Sequence, residues 1–104
     1  MKLKQAAIAT FNVDVVIPLP GNELLTVGFV FKWQGMKAYF KSQDKFRNDE
    51  ITPFEHVQNM IHSWGFEDEF NEENLNELVD VCPMAANAIF EAYEEAIFKA
   101  RAKN

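Results

Sequence analysis

Thr10–Trp33 reads TFNVDVVIPLPGNELLTVGFVFKW, and its alternation decides the fold class. Phe11, Val13, Val15 and Ile17 fall on one face of an extended chain, with Asn12 and Asp14 on the other. Pro18, Pro20 and Gly21 break the run and mark a turn. Leu25, Val27, Phe29, Phe31 and Trp33 then share a face between Leu24 and Trp33, opposite Thr26, Gly28, Val30 and Lys32. Two alternating runs joined by a short loop predict a β-hairpin over residues 10–17 and 24–33. Two strands alone are marginal in water, so the apolar face needs helices or further strands against it. No other segment has a strong strand pattern, so either helices cover the apolar face or another copy of the chain pairs with a free edge.

Downstream of the hairpin the apolar period becomes helical. Met36, Tyr39, Phe40 and Phe46 gather on one side of a helix over 36–46, while Lys37, Lys41 and Lys45 line the other as a solvated face. Thr52-Pro53-Phe54-Glu55 is a start signal: a threonine cap, a proline at the first helical position, and a glutamate three residues after the cap. Phe54, Val57, Met60, Ile61 and Trp64 then fit a helix over 53–64, with Gly65 as its terminator. Asn71, Glu72 and Glu73 suit the positive end of a helix over 72–82, which shows Leu75, Leu78, Val79 and Cys82 on one face. The Cys82-Pro83 junction breaks that helix, and Pro83 opens the last and longest one, over 84–102. The expected class is α+β, a hairpin packed on about four helices in one domain spanning residues 1–104.

The last helix is apolar over too wide an arc. Ala85, Ala88, Ala92, Ala96, Ile89, Tyr93, Ile97 and Phe90 spread over about 200°, roughly twice what one buried face needs. This width predicts contacts on two sides, with Ile89, Tyr93 and Ala96 toward the core. Phe90, Ile97 and Phe98 form a flank for a partner, and Phe98 falls among Asn87, Glu91, Glu94 and Arg101. Trp64, beside Gly65 and Phe66, fits either a binding hot spot or the hinge of a small core.

Composition restricts the function. The 104 residues are 48% hydrophobic and 25% charged, as in ordinary globular chains, and no apolar run approaches a bilayer span. The N-terminal apolar stretch is too short for a secretory signal, and the single Cys82 asks for no oxidising compartment, so a cytoplasmic location is expected. The net charge of −6 is unevenly distributed. Residues 1–47 carry a net +4, whereas thirteen acids and no Lys or Arg lie between Arg47 and Lys99. Such a block repels nucleic acid and membrane surfaces and suits a basic partner, or simply keeps helices soluble.

Candidate chemistry is sparse. His56 and His62 fall about 120° apart on one predicted helix and cannot share a metal, so both read as surface histidines. Glu67–Glu77 lacks the ligand alternation and glycine of a calcium loop. Ser42 and Ser63 lie in no nucleophile elbow, Cys82 fits a buried structural thiol, and the four glycines make no phosphate loop. No catalytic set, cofactor site or metal site is expected.

The order of features resembles a known family, the small tail assembly chaperones of long-tailed bacteriophages. The similarity lies in TFNVDVVIPLPG, then VGFVFKW and a polar helix, the turn segment HSWGFEDEFNEENLNELV, a proline, and the alanine-rich AANAIFEAYEEAIFKARAKN. That resemblance implies a non-enzymatic role: binding the tape measure protein, a long, helical, aggregation-prone chain, while tail tube subunits assemble around it. It also implies absence from the finished virion. Some members have a frameshifted longer form that recruits the tail tube protein, and this chain would correspond to the short form. The family lends no strict binding motif, so the partner-binding expectation rests on Phe90, Tyr93, Ile97, Phe98 and Trp64 as surface candidates. The charge blocks allow self-association into a homo-oligomer. Two other readings fit the acidity: an inhibitor that mimics nucleic acid toward a basic DNA-binding protein, and a structural tail component.

Overall fold

The computed structural model describes residues 2–3 and 10–99. Its order is β1 (Thr10–Leu19), β2 (Glu23–Lys32), α1 (Met36–Arg47), α2 (Pro53–Val57), β3 (Ile61–Trp64), α3 (Glu72–Val81) and α4 (Ala85–Phe98). The class is α+β with an N-terminal antiparallel hairpin and four helices among the described residues, the last of them the longest.

The hairpin is longer than its alternation suggested. β1 pairs with β2 from Thr10↔Lys32 to Leu19↔Glu23, so Pro18 lies inside the strand rather than in the turn. A proline is tolerated there because β1 is an edge strand, where one side of the backbone has no ladder partner. The turn itself uses positive φ at Gly21 (86°) and Asn22 (67°), the two residue types that adopt the left-handed region most readily. The predicted faces hold: Val15, Ile17, Val27, Phe29 and Phe31 are buried, while Asn12, Asp14, Thr26 and Gly28 are exposed.

The principal correction concerns residues 53–64, where one helix was expected. The capping box forms, with Thr52 Oγ1 accepting from the Glu55 amide at 3.0 Å and Glu55 Oε1 accepting from the Thr52 amide at 2.8 Å. The helix nevertheless stops at Val57, and Ile61–Trp64 becomes a third strand beside β2 in the order β1-β2-β3. The inner edge of β2 explains the switch. Phe29 and Phe31 are buried in the core, so their neighbouring backbone groups need partners that water cannot supply. β3 supplies them through Phe29↔Trp64, Val30↔Ser63 and Phe31↔Ile61, and the Lys32 amide donates to the Met60 carbonyl at 2.8 Å. The register shifts between Val30 and Phe31, which leaves His62 without a partner residue. Met60 and Ile61 are still buried, as expected, but from a strand entry rather than a helix face.

Gly65 is therefore not a helix cap. Its Cα presses on the back of β2, where an added Cβ would lie 2.8 Å from the Gly28 carbonyl oxygen and 3.3 Å from the Gly28 nitrogen. α3 starts as expected, with the Asn71 side chain accepting from the Asn74 amide at 2.8 Å. It ends at Val81, and the chain breaks at Cys82-Pro83. α4 begins at Ala85 with Met84 as its cap residue, two positions after the proline expected to open it. The expected extension to residue 102 runs beyond the described residues.

Candidate functional site

The width of the α4 apolar arc is taken up inside the chain on two sides. Ala85, Ile89 and Tyr93 are buried along the centre of the arc. On one flank Ala88 and Ala92 run beside β1, where small side chains let helix and strand approach closely. On the other flank Phe90 meets Phe46 at 6.1 Å and His56 at 5.5 Å between ring centroids, which ties α4 to α1 and α2. Phe90 and Ile97 are half-buried in this packing.

Tyr93, expected both to pack toward the core and to meet a partner, is a core residue. It is 0% exposed, packs edge-on against Phe31 at 5.1 Å, and donates its hydroxyl to the Lys32 carbonyl at 2.7 Å. Burial pushes its phenol pKa well above the usual range. The reason is geometric: Tyr93 lies four residues from Ile89 and eight from Ala85, on the line of α4 that meets the sheet. Trp64 is half-buried at the end of β3. Its indole nitrogen donates to the Asp68 carbonyl at 2.7 Å, and its ring meets Phe66 and Phe70, each at 5.1 Å. These contacts make it the hinge of the acidic loop that follows.

Phe98 differs from the rest. It is 43% exposed and stacks on Phe40, also 43% exposed, at 6.0 Å, with Trp33 edge-on to it at 5.8 Å. Met36, one turn before Phe40 on α1, is 57% exposed. Met36 and Phe40 read as one apolar side of α1 with Tyr39 and Phe46, yet the buried residues of the helix are Tyr39 and Ser42. The result is an open aromatic patch where the end of α4 meets α1. It is continuous with the core through Tyr39, whose ring lies 5.9 Å from Phe98. Exposed Lys37 and Lys41 flank Phe40 along α1. The patch was half legible: Phe98 stood out on its helix, whereas Met36 and Phe40 read only as the apolar side of α1, and Trp33, on the apolar face of the hairpin, is half-buried against the core.

Beneath the patch a polar clasp fixes α1. Tyr39 donates its hydroxyl to Glu94 Oε2, and Gln43 Nε2 donates to the same oxygen at 3.2 Å. Burial and then the hydrogen bond to this carboxylate raise the Tyr39 pKa far above its usual range, so the phenol stays a donor. His56, expected at the surface, is 2% exposed. Its Nδ1 lies 2.7 Å from Ser42 Oγ, and its ring stacks on Phe46 at 5.0 Å. Burial lowers the His56 pKa, with the Glu94 charge opposing, so the ring is neutral in the fold. This Ser–His pair is closed off between α1 and α2 and builds structure. Among the described residues no group of three His, Cys, Asp or Glu side chains is arranged to hold a metal, and no helix is long and apolar enough to cross a membrane.

A second surface lies along α4 beside β1 and reaches round the helix as far as Phe90 and Glu94. An open groove of about 630 Å³ runs between β1 and α4, lined by Asp14, Val16, Pro18, Met84, Glu91 and Glu95 among others. No curated protein and no solved structure matches the chain. One family model, described as phage tail assembly chaperone, matches residues 1–104, and a match over the whole chain shows that the chain belongs to the phage tail assembly chaperones.

Proposed function

We propose that this chain acts without catalysis, binding the tape measure protein through the Trp33–Met36–Phe40–Phe98 patch and keeping it soluble while the tail tube forms. The observation that carries the reading is the exposed stacking of Phe40 on Phe98, 43% exposed each, beside a 57% exposed Met36. Large apolar side chains grouped at a surface mark sites that another protein covers. The client of such a patch is an amphipathic helix, whose apolar stripe lays itself along aromatic side chains while its polar face keeps the complex soluble. Methionine adds adaptability, since its unbranched thioether conforms to varied side chains along a long client. Several copies on one client would hold it by avidity, so a modest single-site affinity suffices. The tail tube protein is the second expected partner. The role places the chain in the host cytoplasm and leaves it out of the finished virion.

The test is co-expression of a tape measure fragment with wild type and with Phe40→Ala/Phe98→Ala. The client stays soluble with wild type and pellets with the double variant, which itself remains folded by circular dichroism. Unchanged client solubility with the double variant would remove the reading. Binding that vanishes in moderate salt would point instead to the acidic, nucleic-acid-mimicking role. Recovery of the chain in purified particles would make it a structural tail component.

A further inference from the structure

The groove between β1 and α4 is built differently from the aromatic patch. One wall is β1, an edge strand of ten residues whose outer side has no backbone partner among the described residues. The other wall is the flank of α4 from Met84 to Glu95. Asp14, Glu91 and Glu95, all exposed, supply negative charge along it, with Lys99 at one end. Val16, 48% exposed, Pro18 and Met84, 47% exposed, add apolar contacts to the same groove.

An open strand edge recruits other strands, because a row of unpaired N–H and C=O groups is a template for pairing. A second copy of this chain is a poor occupant. Two β1 edges related by a two-fold axis would set Asp14, Glu91 and Glu95 of both copies against each other. The residues that discourage self-pairing favour a strand of opposite charge. From this geometry we infer that the groove binds an extended, basic segment of another protein, which adds to β1 as a fourth strand with cationic side chains toward Asp14, Glu91 and Glu95. Main-chain hydrogen bonds provide the affinity, and the carboxylates together with Val16, Pro18 and Met84 select a segment that combines Lys or Arg with small apolar residues. Pro18 lacks an N–H, and a proline in an edge strand turns its nitrogen outward. With a period of two, the amides of Asn12, Asp14 and Val16 share that outer side. This surface is independent of the aromatic patch and takes a strand rather than a helix.

The experiment uses the full chain and two synthetic peptides of about eight residues, a length a strand typically has, one alternating lysine with valine and one alternating glutamate with valine. Titration and amide hydrogen exchange are read together. The lysine peptide binds, slows exchange at Asn12, Asp14 and Val16, and loses affinity about tenfold or more in Glu91→Lys/Glu95→Lys, while the glutamate peptide does not bind. Asp14→Asn, on the other wall, shifts affinity in the same direction, and Phe40→Ala/Phe98→Ala leaves it unchanged. The proposal fails if the lysine peptide does not bind, or if it binds with β1 exchange unaltered. Equal binding by the charge-reversed variant overturns it too, as does light scattering that shows a dimer formed through β1. Loss of peptide binding in the Phe40/Phe98 variant alone would place the site on the aromatic patch and overturn it likewise.

Discussion

Two residues carry more of the fold than their types suggest. Gly65 lies against the backbone of Gly28, and a methyl group there would sit 2.8 Å from a carbonyl oxygen that belongs to the sheet. Neither backbone can give way without disturbing the β2–β3 pairing, so Gly65→Ala is expected to destabilise by about 1–3 kcal/mol, read by urea denaturation. His56 carries a pH dependence. Its folded pKa lies below the ordinary 6.5, so the unfolded chain binds the proton more readily. Stability from the neutral ring is therefore complete above pH 6.5 and is lost as pH falls toward the folded pKa. The His56→Gln variant should lack that component. The difference in unfolding free energy between wild type and variant shrinks by up to about 1.4 kcal/mol per pH unit below that point. A difference that stays constant between pH 7 and 5 would show that His56 is not buried neutral.

Among the elements, β1 and β2 were legible because strict alternation over Phe11–Ile17 and Leu25–Trp33 has no helical counterpart. α3 was legible from Asn71 and its following acids, and α4 from its alanine-rich run. β3 was not. Val57, Met60, Ile61 and Trp64 sit at spacings of three, four and seven, which suit a helix face. What overrides the pattern is the unpaired inner edge of β2, a partner thirty residues away in sequence that no local window contains. The same override turned Gly65 from a cap into a contact, whereas His56 is taken inside by Ser42, Phe46 and Phe90. The five-residue α2 depends on its capping box for persistence, since so short a helix is unstable by itself. Thr52→Ala should cost about 0.5–2 kcal/mol, measured as a lowered unfolding midpoint in urea. Ile61–Trp64 should show the Cα chemical shifts of extended backbone by NMR, a pattern that a single helix over 53–64 does not produce.

At the scale of the whole molecule, α4 is a divider. Its centre closes the core, and its two flanks border surfaces of unlike character, an aromatic patch beside lysines and an acidic groove beside a strand edge. The candidate site was therefore partly legible. A helix with an over-wide apolar arc was rightly read as touching two sides, but both sides turned out to be filled largely by this chain, with Tyr93 wholly internal. The exposed apolar surface beside Phe98 comes from α1, whose Met36 and Phe40 share a helix side with buried Tyr39, while Trp33 is half-buried against the core. Ser42 and His56 fill the space behind α1. The most direct test of the proposed chaperone role puts a photo-crosslinking benzoylphenylalanine in place of Phe98, and in a second protein in place of Val79 on α3, with a tape measure fragment co-expressed. Binding at the aromatic patch predicts crosslinks to the fragment from position 98 and none from position 79. Crosslinks from position 79 alone, or none from either in a soluble complex, would contradict it.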